Sequence, residues 1–140
     1  MSDDYLSASL RRLVHERARG QCEYCLIPDA VTLAPHEVDH IIAQKHGGAT
    51  NADNLALSCA LCNKRKGSDI ASIDPDTHQI VPLYHPRRDR WAEHFQLSDG
   101  VLVPLTPEGR ATLRLLQLNR PERVAERELL ITSRTLHLPD

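Results

Sequence analysis

Four cysteines stand in two pairs, each with the spacing that lets one tight turn present two sulfur atoms to a single ion. The pairs are Cys22-Glu23-Tyr24-Cys25 and Cys59-Ala60-Leu61-Cys62. Together they can complete a tetrahedral shell of four thiolates, which suits Zn²⁺. Because a closed shell leaves no position for water, we predict a structural zinc site on Cys22, Cys25, Cys59 and Cys62. A redox dithiol or free thiols are the alternative.

The segment between the two pairs is long enough to carry chemistry of its own. It runs over 33 residues, 26–58, more than the gap of about 15 to 20 that is usual in zinc ribbons. It contains Asp39-His40 and Asn54, and Asn63 follows the last cysteine directly. A neutral imidazole takes a proton from water near pH 7, whereas carboxylate and amide oxygens are hard ligands suited to Mg²⁺ or Mn²⁺. Residues of these types can serve metal-assisted hydrolysis.

The order of these motifs resembles the HNH nuclease family. The motifs are Asp39-His40, Gly47-Gly48, Asn54-Leu55 and Cys59-x-x-Cys62-Asn63-x-x-Lys66-Gly67. The resemblance covers roughly Arg19 to Ser68, about a third of the chain. It implies an α+β fold with a ββα-metal core and two Cys-x-x-Cys zinc knuckles, to which we add an N-terminal helix and a C-terminal β-hairpin with helices.

The resemblance also implies roles for individual residues. His40 would be the general base of an endonuclease that hydrolyses DNA phosphodiester bonds, and Asn54 would hold the loop and the histidine in place. Asp39 and Asn63 would bind the catalytic metal. Many family members have histidines at these last two positions, so the oxygen ligands here shift the expected metal from zinc or nickel to Mg²⁺ or Mn²⁺.

Basic residues near the second cysteine pair are candidates for binding the phosphates of a nucleic acid. Lys64, Arg65 and Lys66 are expected at the start of a short helix, where backbone N–H groups also favour anions. His46 lies in the Gly-Gly loop and is a further candidate, although a structural role is commoner for a single histidine. In the last third, arginines at 87, 88 and 110 form either a DNA-contacting surface or solvated faces.

Asp39 and His40 pose a geometric problem because they are adjacent in an apolar run. Neighbouring residues in a regular strand point to opposite faces. Both side chains can therefore serve one site only if the strand ends or bulges at this point. We predict that it does.

The flanking segments carry signals for helices and turns. A helical stripe runs from about Leu6 to Arg19 and stops at Gly20, and a hairpin turn is indicated at Ser98-Asp99-Gly100. Helix starts are indicated at Thr106-Pro107-Glu108 and Arg120-Pro121-Glu122. We therefore predict a nuclease core with its N-terminal helix and zinc site over residues 1–72, and a C-terminal extension packed on it over residues 73–140.

Bulk properties bound the partners and the compartment. The 140 residues are 41% hydrophobic and 26% charged, with a formal net charge of −2, which argues against an indiscriminate polycation. The sequence contains no apolar stretch of about 18 residues, and its start lacks the order of a secretory signal. We therefore expect a cytoplasmic protein that contacts no membrane and whose paired cysteines stay reduced.

Two functional hypotheses from different classes follow from this pattern. The first is a divalent-metal-dependent endonuclease with one site per chain, which predicts that a monomer nicks DNA. The second is a zinc-knuckle module that binds nucleic acid without catalysis. Structured RNA stays open as a substrate, because phosphate contacts carry no base information. Sequence specificity, biological pathway and oligomeric state do not follow from the sequence.

Overall fold

The computed structural model describes residues 5–139 and has the predicted mixed α+β architecture. In this part of the chain five α-helices accompany three two-stranded antiparallel sheets. The elements are α1 Ala8–Arg17, β1 Glu37–His40, β2 Leu55–Ser58, α2 Ala60–Lys66, β3 Ala71–Ile73, β4 Ile80–Pro82, α3 Trp91–His94, β5 Phe95–Ser98, β6 Val101–Pro104, α4 Pro107–Leu116 and α5 Pro121–Thr132. None of the helices within 5–139 is long and apolar enough to span a membrane.

Strands β1 and β2 with helix α2 form the ββα unit. The two strands pair antiparallel, with Asp39 opposite Ala56 and His40 opposite Leu55. Strand β1 ends at His40, as expected from the geometric problem posed by the adjacent Asp39 and His40. The chain then enters a long connection through the short 3₁₀ turns Gln44–His46 and Ala52–Asn54 before it forms β2.

Helices α1 and α2 cover opposite faces of this hairpin. Helix α1 is capped by Ser7, whose hydroxyl accepts a hydrogen bond from the backbone N–H of Leu10. Its fully buried Val14 packs with Leu55 and Leu57 of β2. Side chains of β1 on the other face contact α2, so the hairpin is held between the two helices.

The C-terminal third follows the turn and cap signals of the sequence. The β5–β6 hairpin turns at Asp99 and Gly100, which both adopt positive φ and so match the twist of the strands. Helix α4 is capped by Thr106, whose hydroxyl accepts from the backbone N–H of Gly109. Helix α5 begins at Pro121, so both predicted helix starts are confirmed.

The larger of the two hydrophobic clusters in the described residues is shared by the cysteine pairs and the C-terminal third. It joins the four cysteines with Trp91, Phe95, Leu102, Leu116 and Leu118, among others. Strand β3 spans positions 72 and 73, where the sequence suggested a division into a core and an extension. That division stays a prediction, and its outer ends, residues 1–4 and 140, lie outside the described part of the chain.

Candidate active site and zinc site

The four cysteines form one buried cluster with the dimensions of a zinc site. Their sulfur atoms all lie within 4.8 Å of one another, and Sγ of Cys25 is 3.7 Å from Sγ of Cys59. Four sulfurs about 2.3 Å from one zinc ion would be about 3.8 Å apart in a tetrahedron. All four thiols are free of disulfides. The cluster therefore fits the structural Zn²⁺ predicted from the sequence.

Local backbone geometry aims the sulfurs at one point. In the first turn, Sγ of Cys22 accepts the backbone N–H of Cys25 at 3.4 Å. Cys59 is the N-cap of α2, and its sulfur accepts the N–H of Cys62 at 3.4 Å. Side-chain hydrogen bonds from the other three cysteines hold the pKa of Cys59 far below its usual range. A thiolate is thus favoured where the helix terminus offers N–H groups.

Asp39 is a buried carboxylate whose contacts converge on one oxygen. The residue is 6% exposed. Its Oδ2 lies 3.1 Å from Nζ of Lys66 and accepts the hydroxyl of Tyr24 at 3.3 Å. Burial raises the pKa of Asp39, and Lys66, Tyr24 and the charge of His40 offset part of that effect. The ionised form therefore depends on these neighbours.

Asn63 faces the same side of β1 as Asp39 does. Its amide nitrogen donates to Oε2 of Glu37 at 2.6 Å, and Glu37 is two residues before Asp39, which places both on one face of the strand. Because the nitrogen is engaged, the amide oxygen of Asn63 stays available as a ligand. One carboxylate and one amide oxygen fit Mg²⁺ or Mn²⁺, which usually keep several waters and bind few protein ligands.

The side chain of His40 is anchored through one ring nitrogen. Nε2 lies 2.8 Å from Oγ1 of Thr50, and within residues 5–139 no hydrogen bond reaches Nδ1. Strand alternation places His40 on the face opposite Asp39 at the last position of β1. The structure therefore places the two side chains at the same end of β1 but on different faces of the strand.

Asn54 fastens the two ends of the connection that follows His40. Its Nδ2 donates to the carbonyls of Ile42 at 2.9 Å and Ala49 at 2.8 Å, and its Oδ1 accepts the N–H of Ile42 at 2.9 Å. Gly48 makes the closure possible, because a Cβ there would stand 1.7 Å from the Ile42 carbonyl oxygen. The Gly-Gly motif thus serves a close backbone approach.

The predicted phosphate-binding residues differ in where they point. Lys64 is exposed, while Nη1 of Arg65 donates to the carbonyl of Leu116 in α4 at 3.4 Å. Lys66 is only 2% exposed and faces inward. Nε2 of His46 lies 3.1 Å from the carbonyl oxygen of Ser68.

The expected helical position of the basic residues was wrong. Lys64, Arg65 and Lys66 occupy the last turn of α2, not its start, because the helix already begins after Cys59. They lie at the negative end of the helix dipole. Any anion binding there depends on the side chains and receives no help from free backbone N–H groups.

Three residues contact the predicted site residues, although the sequence analysis assigned none of them a role. Tyr24 contacts Asp39, Thr50 contacts His40 and Glu37 contacts Asn63. Thr50 follows the Gly-Gly motif closely, which was a usable signal. A second usable signal was the position of Tyr24 between two predicted zinc ligands. Neither signal indicates which side chain the hydroxyl of Thr50 or of Tyr24 would contact.

The arginines of the last third are engaged within the protein. Arg87 forms an ion pair with Glu23 of the first cysteine turn. Arg110 donates to both carboxylate oxygens of Asp74, from Nε at 2.8 Å and from Nη2 at 2.9 Å. A surface of free arginines at these two positions is therefore absent from the described conformation.

Comparisons with known proteins bear on the central segment. The model of the HNH endonuclease family matches residues 22–69, which confirms the resemblance predicted from the motifs. The Septu protein PtuB of Bacillus thuringiensis is 24% identical over 123 residues, which cover 86% of this chain. The chain spans 45% of that relative's length. The search of solved structures gave no significant match.

Proposed function

We propose that the protein is a divalent-metal-dependent endonuclease that hydrolyses DNA phosphodiester bonds, because residues 22–69 match the model of the HNH endonuclease family. The observation that carries the proposal is that the matched segment forms one ββα unit with Asp39 and His40 at the end of β1, Asn54 just before β2 and Asn63 on α2. A domain that only bound zinc would need none of these four side chains.

His40 is the proposed general base. If Nε2 carries the ring proton and donates a hydrogen bond to Oγ1 of Thr50, Nδ1 keeps its lone pair and can take a proton from water. Asn54 supports this by holding Ile42, two residues after His40, against Ala49. The imidazole then sits at the end of a fixed strand, which fits the demand that a general base be held within hydrogen-bond reach of its water.

Asp39 and Asn63 are the proposed ligands of the catalytic ion. When bound, Mg²⁺ or Mn²⁺ supplies positive charge to the phosphate and the leaving oxygen. The two residues reach one side of β1 from a strand and a helix, so the distance between them depends on the packing of α2. Glu37 contributes by fixing which end of the Asn63 amide faces the site.

Phosphate groups of the substrate would meet the exposed basic side chains next to this face. Lys64 is the best placed of them because it is exposed on α2 one residue after Asn63. His46 and Arg65 are proposed as flanking contacts. Lys66 could bind phosphate only by leaving its buried ion pair with Asp39.

One observation favours a second candidate, a zinc module that binds nucleic acid without cutting it. The Lys66 ammonium already neutralises the buried Asp39 carboxylate. If this ion pair leaves too little negative charge to attract Mg²⁺, no divalent ion binds beside α2 and catalysis fails. The two candidates therefore differ in whether divalent metal binds beside α2.

Plasmid cleavage tests the proposal directly. Supercoiled plasmid is incubated with Mg²⁺ or Mn²⁺ and the wild-type chain, His40→Ala, or His15→Ala as a matched control on α1, where the histidine side chain is 52% exposed. We expect open circles from the wild type and the control and none from His40→Ala or from reactions without added metal. The nick would follow from one site per chain.

Intact plasmid in every reaction, with DNA binding and one zinc per chain retained, would establish the binding module instead. Cleavage by His40→Ala at the wild-type rate would remove His40 from its proposed role. Parallel reactions on a structured RNA separate DNA from RNA as substrate. A cytoplasmic location is proposed as well, because reducing conditions keep the four thiols available for zinc.

A further inference from the structure

The hydroxyl of Tyr24 joins the zinc site to the carboxylate of Asp39. Tyr24 lies between Cys22 and Cys25 in the first cysteine turn and is 3% exposed. Its hydroxyl donates to Oδ2 of Asp39 at 3.3 Å. Tyr24, which lies in the predicted zinc site, thus contacts Asp39, a predicted ligand of the catalytic metal.

The backbone around Tyr24 is fixed at both ends. The N–H of Leu26 donates to the carbonyl of Cys22 at 2.9 Å, which closes the turn. The N–H of Glu23 donates to the carbonyl of Leu57 in β2 at 2.8 Å, which fastens the turn to the strand that pairs with β1. The hydroxyl is therefore held relative to the hairpin that carries Asp39.

Both donors that reach Asp39 use the same oxygen. Lys66 approaches Oδ2 at 3.1 Å and also donates to the carbonyl of His40 at 3.2 Å. No other hydrogen bond to the Asp39 carboxylate occurs in the described residues. A carboxylate held by donors on one oxygen presents the other oxygen in a fixed direction.

We propose that Tyr24 is a positioning residue that holds Oδ2 of Asp39 and so presents Oδ1 to the catalytic metal. The inference rests on the proposed function, because it needs Asp39 as a metal ligand. Outer partners of ligating carboxylates fix their orientation, and loss of such a partner commonly costs about 10- to 100-fold in metal affinity. The structural zinc then supports the catalytic site through Tyr24.

A packing role is the competing explanation for this residue. The ring of Tyr24 belongs to the hydrophobic cluster that surrounds the cysteines. Replacement by phenylalanine keeps the ring and removes only the hydroxyl, so a residue that merely fills space would tolerate it. Tyr84 is a matched control, because it is 4% exposed and its hydroxyl forms no hydrogen bond within residues 5–139.

Binding of Mn²⁺ to the zinc-loaded full chain tests the inference without any activity measurement. The electron paramagnetic resonance signal of free aqueous Mn²⁺ gives the dissociation constant for wild type, Tyr24→Phe, Tyr84→Phe and Asp39→Ala, and zinc per chain is measured on the same samples. We expect Tyr24→Phe to weaken Mn²⁺ binding about tenfold with one zinc retained. Tyr84→Phe should bind like the wild type.

The other outcomes each overturn a defined statement. Wild-type affinity in Tyr24→Phe with binding lost in Asp39→Ala would refute the positioning role and leave the proposed function intact. Equal binding by wild type and Asp39→Ala, or no binding by either, would remove Asp39 as a ligand and the inference with it. Loss of zinc in Tyr24→Phe would show that the hydroxyl serves the cysteine turn, against the inference.

Discussion

At the scale of single residues, the orientation of one imidazole decides whether the proposed base is available. A hydrogen bond to one ring nitrogen holds the imidazole in one orientation. Thr50 is the partner in that bond for His40, at 2.8 Å from Nε2. Its own position follows from Asn54, which bonds the preceding residue, Ala49, at 2.8 Å. The amide predicted to hold the loop thus also holds the residue that orients the base.

We predict that Thr50→Val lowers kcat roughly tenfold while KM stays within about twofold. Valine keeps the shape of the side chain but removes the hydroxyl, so the ring of His40 loses its hydrogen-bonded anchor and with it part of the contribution of a general base, about 10²- to 10⁴-fold. Steady-state cleavage of a labelled oligonucleotide measures both constants. Thr132→Val on α5, whose hydroxyl bonds only the carbonyl of Glu128, is the control. An unchanged kcat would exclude Thr50 from orienting His40.

At the scale of elements, the sequence predicted those whose ends carry familiar signals. Thr106 and Pro107 mark the start of α4, and Asp99-Gly100 marks the β5–β6 turn. The start of α2 carried no such signal, because Cys59 caps it with a sulfur and cysteine is not among the usual N-cap residues. The basic residues after Cys62 were therefore assigned to the wrong end of the helix.

The contact between β1 and α2 was beyond sequence reasoning for a related reason. The motif places Asp39 and Lys66 in the family's order but does not indicate that they form an ion pair. The pair is buried, since the side chain of Asp39 is 6% exposed and that of Lys66 is 3% exposed. Lys66 was predicted to bind phosphate from the start of a helix, but it is buried, as lysines can be when they are paired with an acid. Which partner buries it depends on how α2 lies against β1, and that is a tertiary property.

We predict that Lys66→Met destabilises the zinc-loaded protein by about 3 to 5 kcal/mol, because it leaves the Asp39 carboxylate buried without its cation. The double variant Asp39→Asn with Lys66→Met should recover most of that loss. Urea unfolding of the single and double variants gives the coupling free energy. Lys45→Met, at an exposed lysine in the loop, should leave stability within about 0.5 kcal/mol. Equal loss in the single and double variants would mean that the pair is not coupled.

At the scale of the whole molecule, helix α5 of the C-terminal third reaches the zinc cluster with two arginines one turn apart. Nη2 of Arg123 lies 4.0 Å from Sγ of Cys59. Arg127 is fully buried and donates from Nη1 to the carbonyl of Cys25 at 3.1 Å. Burial lowers the pKa of Arg123, but the negative charges of Cys25 and Cys59, together with the charge and hydrogen bond of Glu126, outweigh burial and raise it. The extension therefore meets the sulfur cluster with positive charge.

This arrangement has a consequence for zinc affinity, because one Zn²⁺ with four thiolates carries a net charge of about −2. In a buried site that charge needs compensation, and the two guanidinium groups of α5 supply it. We predict that Arg123→Met weakens zinc binding roughly tenfold, in the range seen when partners of metal ligands are removed. Competition with a chromogenic chelator measures the affinity, and Arg134→Met, at an exposed arginine after α5, is the control.

The result also tests the predicted division near residue 72. If residues 1–72 formed an independent unit that holds its zinc unaided, Arg123→Met would bind zinc as tightly as the control does. Weaker binding would mean that the segment matched by the HNH family model and the extension share one electrostatic unit around the metal. Because Tyr24 lies in the same cysteine turn and contacts Asp39, a charge on α5 would then help to hold the carboxylate proposed as a metal ligand from the opposite end of the chain.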